Sequence, residues 1–403
     1  MKSALYSPRL HEELIENEMA QFPHLEYSMK QVLRAGKALQ GDMHWDESTK
    51  DQAIEIFRIA HSWRDSHALP MKSIRQEMLS RMRSLNLRGV TAARLKRMIS
   101  IRKKLRRISA KLNQIQDLGG CRIILPSMED TKTFIEEMRQ KSKHDLSRET
   151  DYIALPKGDG YRSHHMVYKF KGNARQSEFD GRRIEIQIRT RLQHTWATAV
   201  ETIGLVRGED MKASQGDADW LRLFDLMSAE FALAENSPER NDLPEHTERV
   251  QEIEYLERKL DAVNILDGIR FAIHWTDRVY TNKTKPEYFK IAFNKETQQV
   301  DISEYTEPKK WIDEYNSDEE KQNLDSNNQD NTVIIGANRI EDLRVTYPNY
   351  FGDVQLFNKN LKDLCLGKTA QEYTLPPINS APNIELEPAD MSWFRPGRNR
   401  RWT

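Results

Sequence analysis

Apolar residues recur at helical spacing along the N-terminal part of the chain. Ala53, Phe57 and Trp63 lie on one stripe of an amphipathic pattern. Ser48 is a plausible N-cap for this run, and Pro70 is expected to end it. Helices are predicted over residues 11–40, 48–67 and 72–85. This part of the chain therefore indicates a helical lead-in to the next region.

The pattern changes after residue 88 to short strands among helices. Residues 121–125 (CRIIL) are apolar, and residues 164–170 and 182–189 alternate between apolar and polar positions, as strands do. Asp180-Gly181 is a turn signal between the last two strands. Helices are expected over residues 90–111, 128–141 and 191–204. The order α-β-α-β-β-α predicts an α+β fold with a mixed β-sheet flanked by helices.

The C-terminal half predicts a helical connector and a small α+β domain. Its patterns indicate helices at about 219–235 and 245–266, a β-hairpin over 286–305, an acidic polar loop over 313–331, then the strand TVIIG and the helix RIEDLRVTY. The predicted divisions are a helical region 1–88, a catalytic domain 89–205, a connector 206–270, an accessory α+β domain 271–366 and a flexible basic tail 367–403.

Composition is that of a globular, water-soluble chain. Of the 403 residues, 38% are hydrophobic and 31% are charged, and no apolar run approaches the roughly 18 residues of a membrane span. The N-terminus has no apolar segment of the kind that signal peptides contain. Cys121 and Cys365 lie far apart without CxxC spacing, which argues against a disulfide framework or zinc site. A reducing cytoplasm is the expected location.

Charge is distributed unevenly although the net charge is zero. Residues 81–122 contain 13 lysines and arginines but a single acidic residue, Asp117. A solvated helix face is the ordinary explanation for such a run. A local anionic partner, such as nucleotide phosphates or RNA, is the functional one.

Four short motifs follow one another between residues 94 and 190. They are Arg94-x-Lys96-x-x-x-Ser100-x-x-x-Lys104, Asp117-x-x-Gly-x-Arg122, Pro-Lys157-x-Asp159-Gly-Tyr161-x-Ser-x-His165 and Glu185-x-Gln187-x-Arg189-Thr. Each motif alone is weak evidence, because an Asp before Gly-Gly is usually only a turn. On a helix, Lys96, Ser100 and Lys104 would share one face.

The last motif places polar groups on one face of a strand. Alternation puts the side chains of Glu185, Gln187 and Arg189 on the same side. A carboxylate, an amide and a guanidinium pointing one way are unusual in a core, because buried charges need partners. They are natural in a site that binds metal and phosphate.

With these four motifs in this order, the sequence resembles the RelA/SpoT synthetase family, which makes (p)ppGpp alarmones. The resemblance covers about residues 90–205, including a following helix with His194, Trp196 and Glu201. It implies a nucleotidyltransferase-like synthetase domain and Mg²⁺ as cofactor. The segment looks more like the small, single-purpose synthetases than the long bifunctional enzymes.

The resemblance also implies roles on the donor side. Arg94 and Arg122 would sandwich the adenine of ATP, because guanidinium planes stack on purines. Lys96, Ser100 and Lys104 would hold the ATP phosphates.

On the acceptor side, the resemblance implies that Asp117 and Glu185 bind Mg²⁺, and that Glu185 could deprotonate the acceptor 3′-hydroxyl. Tyr161 would stack on guanine. The residues that would orient the acceptor phosphates or sugar are Lys157, His165, Gln187 and Arg189. Pyrophosphoryl transfer demands mainly charge neutralisation and in-line positioning, which this set of side chains suits.

Asp159 departs from the family pattern, which often has Asn before the Gly-Tyr pair. A carboxylate there could accept hydrogen bonds from guanine N1–H and N2–H₂ but would offer nothing to the N1 acceptor of adenine. The sequence therefore predicts a guanine preference at the acceptor site.

Two enzymatic functions and one non-enzymatic function remain open from the sequence. The first is transfer of pyrophosphate from ATP to GDP or GTP. The second is toxin-like pyrophosphorylation of the tRNA 3′ end, with a C-terminal inhibitory or sensor domain that serves phage defence; the basic segment and the Arg395–Arg401 tail suit RNA. A nucleotide-binding regulator is disfavoured, because a binder would not need both Asp117 and Glu185.

The only His-Asp pair, His144-Asp145, lacks the spacing of a metal-dependent hydrolase. No membrane partner is expected, and a homo-oligomer stays open.

Overall fold

A computed structural model gives the arrangement of the chain. It describes residues 22–41, 49–207, 209–272, 274–275, 288–294, 299–305, 310, 312–317, 319, 331–336, 346 and 354–372. The start of the predicted first helix, the RIEDLRVTY helix apart from Thr346, most of the acidic loop and most of the C-terminal tail lie outside these residues.

Helices and strands alternate along the described residues. The helices are α1 (Met29–Gln40), α2 (Lys50–Asp65), α3 (Ala68–Ser84), α4 (Met98–Arg107), α5 (Met128–Lys141), α6 (Arg191–Arg207), α7 (Ala218–Ala234), α8 (His246–Leu260), α9 (Ala262–Ala272) and α10 (Gln355–Cys365). The strands are β1 (Val90–Leu95), β2 (Gly119–Leu125), β3 (Asp145–Asp151), β4 (His164–Lys169), β5 (Arg183–Thr190), β6 (His274–Trp275), β7 (Tyr288–Asn294), β8 (Gln299–Tyr305) and β9 (Asn331–Gly336).

The strands form one mixed sheet in the order β3-β4-β5-β2-β1-β9-β7-β8-β6. Strand β5 runs parallel to β2 and antiparallel to β4. The parallel pairing places Glu185 beside Gly120, so the segment that carries Asp117 enters the sheet next to the Glu185 strand. The predicted mixed sheet flanked by helices is confirmed.

Strand β5 separates the core from the site. Ile184, Ile186 and Ile188 are fully buried on one face, whereas Glu185 and Gln187 are half-buried on the other. Alternation along a strand produces this division, because successive side chains point to opposite faces. The predicted common face of the polar residues is therefore present.

Helices cover both faces of the sheet. The isoleucine face packs against α3 and α5, with Met78 and Phe134 buried there. The other face packs against α6 and α7, where Trp196 and Phe224 are buried. A third cluster joins α1, α2 and α4. The polar face of the sheet thus lies between α6 and α7 on one side and α4 on the other.

The prediction of one helix over residues 90–111 is wrong. Residues Val90–Leu95 form β1, antiparallel to β2, and α4 begins only at Met98. Arg94 and Lys96 therefore do not share a helix with Lys104. The Thr-Ala-Ala segment of β1 is buried between two strands, and pairing with β2 outweighs its helical propensity.

Two other local predictions differ from the structure. Pro70 does not end a helix but lies in the first turn of α3, where a missing N–H costs nothing. The long helix predicted at 245–266 is divided at Asp261, which has a positive φ of 51°.

The described strands of the predicted accessory domain extend the same sheet. Residue Gly336 of β9 pairs with Ala93 of β1, and the predicted hairpin 286–305 is present as β7 and β8. The division into domains stays a prediction, but the sheet runs across the boundary placed at residue 271. Among the described residues, every helix is too short or too polar to cross a bilayer.

Candidate active site

A cavity of about 370 Å³ opens on the polar face of the central strands. Every site residue predicted from the sequence lines it except Ser100, which lies on α4 and is partly exposed. The error about the helix over 90–111 did not displace the other donor residues, because β1 delivers Arg94 and the following turn delivers Lys96. Twelve residues scattered over the sequence between 94 and 189 thus meet in one pocket.

Asp117 is held between two lysines. Its Oδ2 accepts a hydrogen bond from Lys96 Nζ at 2.9 Å, and its Oδ1 accepts one from Lys104 Nζ at 2.9 Å. Burial alone would raise the pKa of the carboxyl, but the two ammonium groups outweigh it and lower the pKa to about 2. Asp117 is consequently ionised at neutral pH, and the two lysines predicted to hold ATP phosphates are positioned by it.

Glu185 contacts a histidine and an amide. Its Oε1 lies 3.1 Å from His165 Nδ1, and its Oε2 accepts a hydrogen bond from Gln187 Nε2 at 2.9 Å. Burial and the neighbouring Asp117 act to raise the pKa of Glu185, but the bonds from His165 and Gln187 lower it overall. The carboxylate is therefore available as a proton acceptor or metal ligand at neutral pH.

Tyr161 contacts several other side chains on the predicted acceptor side of the pocket. Its hydroxyl lies 2.8 Å from His165 Nε2 and accepts a hydrogen bond from Arg189 Nη2 at 2.7 Å. The ammonium of Lys157 lies 4.7 Å from the ring centroid of Tyr161 and 4.8 Å from that of Tyr152. Two aromatic rings and a cation form a surface on which a flat base can stack.

Asp159 shapes the turn before Tyr161. Its Oδ1 accepts a hydrogen bond from the backbone N–H of Tyr161 at 3.0 Å. Gly160 between them has φ +84°, and a Cβ there would lie 3.0 Å from Cβ of Ser228 and 3.2 Å from Cα of Asp225. One oxygen of Asp159 thus serves the turn, while the residue also lines the cavity, where its other oxygen can face a ligand.

The donor side contains a salt bridge of which the sequence analysis identified only one partner, Glu201. Glu201 of α6 pairs with Lys212, and both line the cavity together with Arg94 and Arg122. Burial would raise the pKa of Glu201, but Lys212 and Arg122 together lower it to about 2. Sequence reasoning missed Lys212, because it lies beyond the last motif and reaches the site only through the packing of α6.

Strand β3 supplies further lining residues that the sequence did not reveal. Arg148 and Thr150 lie on β3, Tyr152 follows directly after it at the same alternate spacing, and all three line the cavity. The sequence DLSRETD contains only one apolar residue, because β3 forms the edge of the sheet and its side chains are mostly exposed. It therefore shows no alternation of apolar and polar residues that would predict a strand. The alternate spacing of Arg148, Thr150 and Tyr152 was the one available signal.

The two carboxylates of the pocket are ligands of the kind that Mg²⁺ prefers. Asp117 and Glu185 are close enough for the charge of one to shift the pKa of the other, and both line the same part of the cavity. Among the described residues no cluster of three or more acidic, histidine or cysteine side chains forms a self-sufficient metal site. Mg²⁺ commonly takes one or two carboxylates and completes its shell with phosphates and waters, which agrees with this arrangement.

Two carboxylates, several lysines and arginines and an aromatic surface thus meet in one cavity. Residues 93–203 match the family model described as "Region found in RelA / SpoT proteins". The match includes the four motifs, so the resemblance seen in them is confirmed over these residues.

Curated relatives agree with that match over segments of similar length. The chain is 35% identical over 108 residues to GTP pyrophosphokinase YjbM of Bacillus subtilis and 30% identical over 113 residues to a GTP pyrophosphokinase of Photobacterium angustum. The aligned segment is 26% of this chain and 51% of the first relative, and 28% of this chain and 14% of the second. The chain thus spans about half or much less of the length of these relatives.

Among solved structures, the small alarmone synthetase 2 from Bacillus subtilis is similar, with a TM-score of 0.37 and 22% identity. The similarity covers 42% of this chain and 90% of that one.

Proposed function

We propose that the protein is a pyrophosphokinase that transfers the β,γ-pyrophosphate of ATP to the 3′-hydroxyl of GDP or GTP. The single observation that carries the proposal is the convergence in one cavity of a lysine-bound carboxylate, a histidine-bound carboxylate and a tyrosine-lysine stacking surface. The match of residues 93–203 to the RelA/SpoT family model and the relatives named GTP pyrophosphokinase support the same reaction.

The donor half of the pocket carries the charge that a triphosphate requires. The ammonium groups of Lys96 and Lys104 are held 2.9 Å from Asp117. Both side chains are therefore already oriented toward the pocket before a polyphosphate binds. Phosphate oxygens can replace Asp117 as the acceptors of these ammonium groups, which frees its carboxylate for the metal. Arg94 and Arg122 lie beside this cluster, where their planes can contact the adenine.

The acceptor half places a stacking surface beside a proton acceptor. Tyr161 and Lys157 would hold the base, and Gln187 and Arg189 would orient the sugar or phosphates. Glu185, ionised and bonded to His165, would receive the proton of the 3′-hydroxyl as the new O–P bond forms and AMP leaves.

Asp117 and Glu185 are the residues that would hold Mg²⁺. When bound, the ion would neutralise charge that develops on the transferred pyrophosphate. The protein side chains supply the orientation, because the reaction depends on in-line placement of the hydroxyl and the β-phosphorus.

One incubation tests the proposal. The protein is mixed with γ-labelled ATP and Mg²⁺ and offered GDP, GTP or deacylated tRNA in separate reactions. We expect the label to move onto GDP or GTP with release of AMP. Label that appears only as inorganic phosphate, or only on tRNA, would refute guanosine-nucleotide pyrophosphorylation.

Pyrophosphorylation of the tRNA 3′ end is the second candidate, and one surface feature favours it. Helix α4 exposes Lys103, Arg106 and Arg107 beside the pocket, and such a basic stripe suits an RNA backbone. Its test is tRNA binding over a range of salt concentrations: affinity should fall steeply as salt rises, and the tRNA should take the label.

Two contacts support a regulatory role for the C-terminal part of the chain under either candidate. Arg122 Nη1 donates a hydrogen bond at 2.7 Å to the backbone carbonyl of Thr346. Glu319 Oε1 accepts one at 2.8 Å from the backbone N–H of Met98, at the start of α4. Both contacts reach donor-side elements, so a change in the C-terminal part can alter ATP binding.

A further inference from the structure

The loop that bears Lys157, Asp159 and Tyr161 is fastened by residues from outside the RelA/SpoT region. It connects β3 with β4 and spans residues 152–163. The side chains that hold it come from α7 and from the segment that follows α7. Lys157 is exposed, so the position of the loop decides where its ammonium lies.

Arg240 makes the principal hydrogen bonds that hold this loop. Its Nη1 donates at 2.8 Å to the carbonyl of Gly158 and at 3.4 Å to the carbonyl of Lys157. The same nitrogen donates at 2.6 Å to Oδ1 of Asp225 on α7. One guanidinium thus joins the turn to α7. Its direction is fixed by Asp225 at Nη1 and by Asp242, which accepts from Nε at 2.9 Å and from Nη2. The side chain of Arg240 is only 16% exposed, so water competes weakly for these bonds.

A second contact holds the same turn at Gly160. Ser228 Oγ donates to the carbonyl of Gly160, whose φ of +84° and close approach to Asp225 exclude a larger residue. The turn therefore rests directly on α7 with no room for an intervening side chain.

Arg162 completes the attachment from the loop itself. Its Nη1 donates to the carbonyl of Ile153 at 3.0 Å and to the carbonyl of Pro238 at 2.8 Å, and its Nε donates to Ser228 Oγ at 3.3 Å. This side chain is buried, and it joins both ends of the loop to the segment that precedes Arg240.

We infer that Arg240, oriented by Asp225, is a positioning residue for the acceptor nucleotide, an inference that rests on the proposed function. It touches neither the cavity nor a predicted substrate-binding side chain; it acts by holding the backbone of residues 157–160. The acceptor half of the site therefore requires α7 and the segment to Arg240, although the family match ends at residue 203. The donor half does not depend on this attachment.

The test compares Arg240→Ala with Lys259→Ala in the full chain. Lys259 pairs with Asp219 of α7 at 2.8 Å, so its removal also breaks an ion pair on α7 but leaves the loop untouched. Initial rates are measured with GDP and ATP varied in turn. Amide hydrogen exchange of the peptide that spans residues 153–163 is measured for each variant, and thermal unfolding confirms that each is folded.

We expect Arg240→Ala to raise the KM for the acceptor at least about 10-fold while the KM for ATP changes less than about twofold, because lost charged hydrogen bonds at the turn misplace only acceptor groups. Exchange in the loop should become faster in this variant and stay unchanged in Lys259→Ala. Arg240→Lys, which keeps the charge without the fork, should be intermediate. Adding Asp225→Asn to Arg240→Ala should cause little further loss, because both act through one contact.

Unchanged acceptor KM and unchanged loop exchange in a folded Arg240→Ala protein would overturn the inference. Equal increases in both KM values would also overturn it, because they would show a general structural effect. If the wild-type chain transfers nothing to GDP or GTP, the proposed function fails, and loop exchange then decides by itself whether Arg240 fastens the turn.

Discussion

Nδ1 of His165 lies 3.1 Å from Oε1 of Glu185. The other ring nitrogen of the histidine lies 2.8 Å from the hydroxyl of Tyr161. One imidazole thus joins the residue proposed to stack on the acceptor base with the residue proposed to take the acceptor proton. Binding of the base can therefore orient the carboxylate, which links recognition to chemistry.

Glu185→Gln is expected to reduce pyrophosphate transfer by at least about 100-fold, since an amide cannot accept the proton of the 3′-hydroxyl. The fold should persist, because glutamine retains an oxygen that can face His165 and the side chain lies on the pocket face of β5. The measurement is the initial rate of label transfer from ATP, with circular dichroism to confirm folding.

Glu149→Gln is the matched control for that experiment. Glu149 Oε1 lies 2.7 Å from Nε2 of His164, one residue before His165, but neither member of this pair lines the cavity. Substitution there removes the negative charge from a similar carboxylate-histidine contact on the neighbouring strands. Comparable losses of rate in the two variants would contradict a catalytic role for Glu185.

Tyr161 is expected to act mainly through its ring. Tyr161→Leu should raise the acceptor KM by about 10- to 100-fold, because base-aromatic stacking contributes roughly 1–3 kcal/mol. Tyr161→Phe keeps the ring but removes the bonds to His165 and Arg189, so it should lower kcat more than it raises the acceptor KM. Steady-state kinetics with GDP varied distinguish the two, and equal effects of Phe and Leu would contradict the stacking role.

Asp159 gives the test of guanine preference. Its Oδ1 already accepts from the backbone of Tyr161, and asparagine can make the same bond. Asp159→Asn should therefore preserve the turn while it removes the carboxylate oxygen proposed to face guanine N1–H and N2–H₂. We expect guanosine acceptors to react faster than adenosine acceptors in the wild type, and the ratio to fall about 10-fold in the variant, since hydrogen bonds to charged groups contribute about 1.5–3 kcal/mol. Equal turnover of both acceptors by the wild type would refute the preference.

Residues on regular, half-buried elements could be predicted from the sequence. Apolar and polar residues alternate along β5 with a period of two, which is the period of a strand. This alternation predicted both the buried isoleucines and the shared face of Glu185 and Gln187. Arg94 was placed on the wrong element but in the right pocket. Its motif carried the site information, whereas the strand-helix boundary at Lys96-Arg97 has no breaker residue to mark it.

Contacts that depend on tertiary packing were not predictable. Lys212 reaches Glu201, and Arg240 reaches Gly158 across 82 positions, without any local pattern that reports them. Strand β3 is polar because it lies at the edge of the sheet, so its sequence resembles that of a loop. Such features follow from how the elements pack, which a single sequence does not display.

Asp117 is expected to make stability depend on pH. Its folded pKa of about 2 lies below the ordinary 3.8, so the folded state binds fewer protons than the unfolded state between these values. The stabilisation is therefore fully present above about pH 4 and is lost as the pH falls through 2. Asp117→Asn should lower the free energy of unfolding by up to about 2 kcal/mol at neutral pH, and the difference should vanish near pH 2.

Urea denaturation at a series of pH values measures this dependence. Asp145→Asn, which changes an exposed carboxylate on β3, should give a difference that varies little with pH. A difference for Asp117→Asn that stayed constant from pH 7 to 2 would show that Lys96 and Lys104 do not set its ionisation.

Glu319 is expected to stabilise the donor helix from the C-terminal part of the chain. Helix α4 has no side-chain cap of its own, and Glu319 Oε1 accepts from its first N–H, that of Met98, at 2.8 Å. The same buried carboxylate pairs with Arg64, which also pairs with Asp65 at 2.9 Å. Glu319→Ala should lower the free energy of unfolding by about 3–5 kcal/mol, because it leaves the buried Arg64 charge incompletely paired.

Measurement of ATP affinity distinguishes the two roles of Glu319, as the cap of α4 and as the partner of Arg64. Asp65→Asn disturbs the same buried pair without a contact to α4, so it should lower stability but leave ATP affinity unchanged. Glu319→Ala should weaken ATP binding about fivefold in addition, because an uncapped first turn costs about 1 kcal/mol and loosens the helix that carries Lys104. Calorimetric titration with a non-hydrolysable ATP analogue measures both variants. Equal affinities would limit Glu319 to holding the fold, whereas a selective loss would make residues beyond the RelA/SpoT region a control point for the donor site.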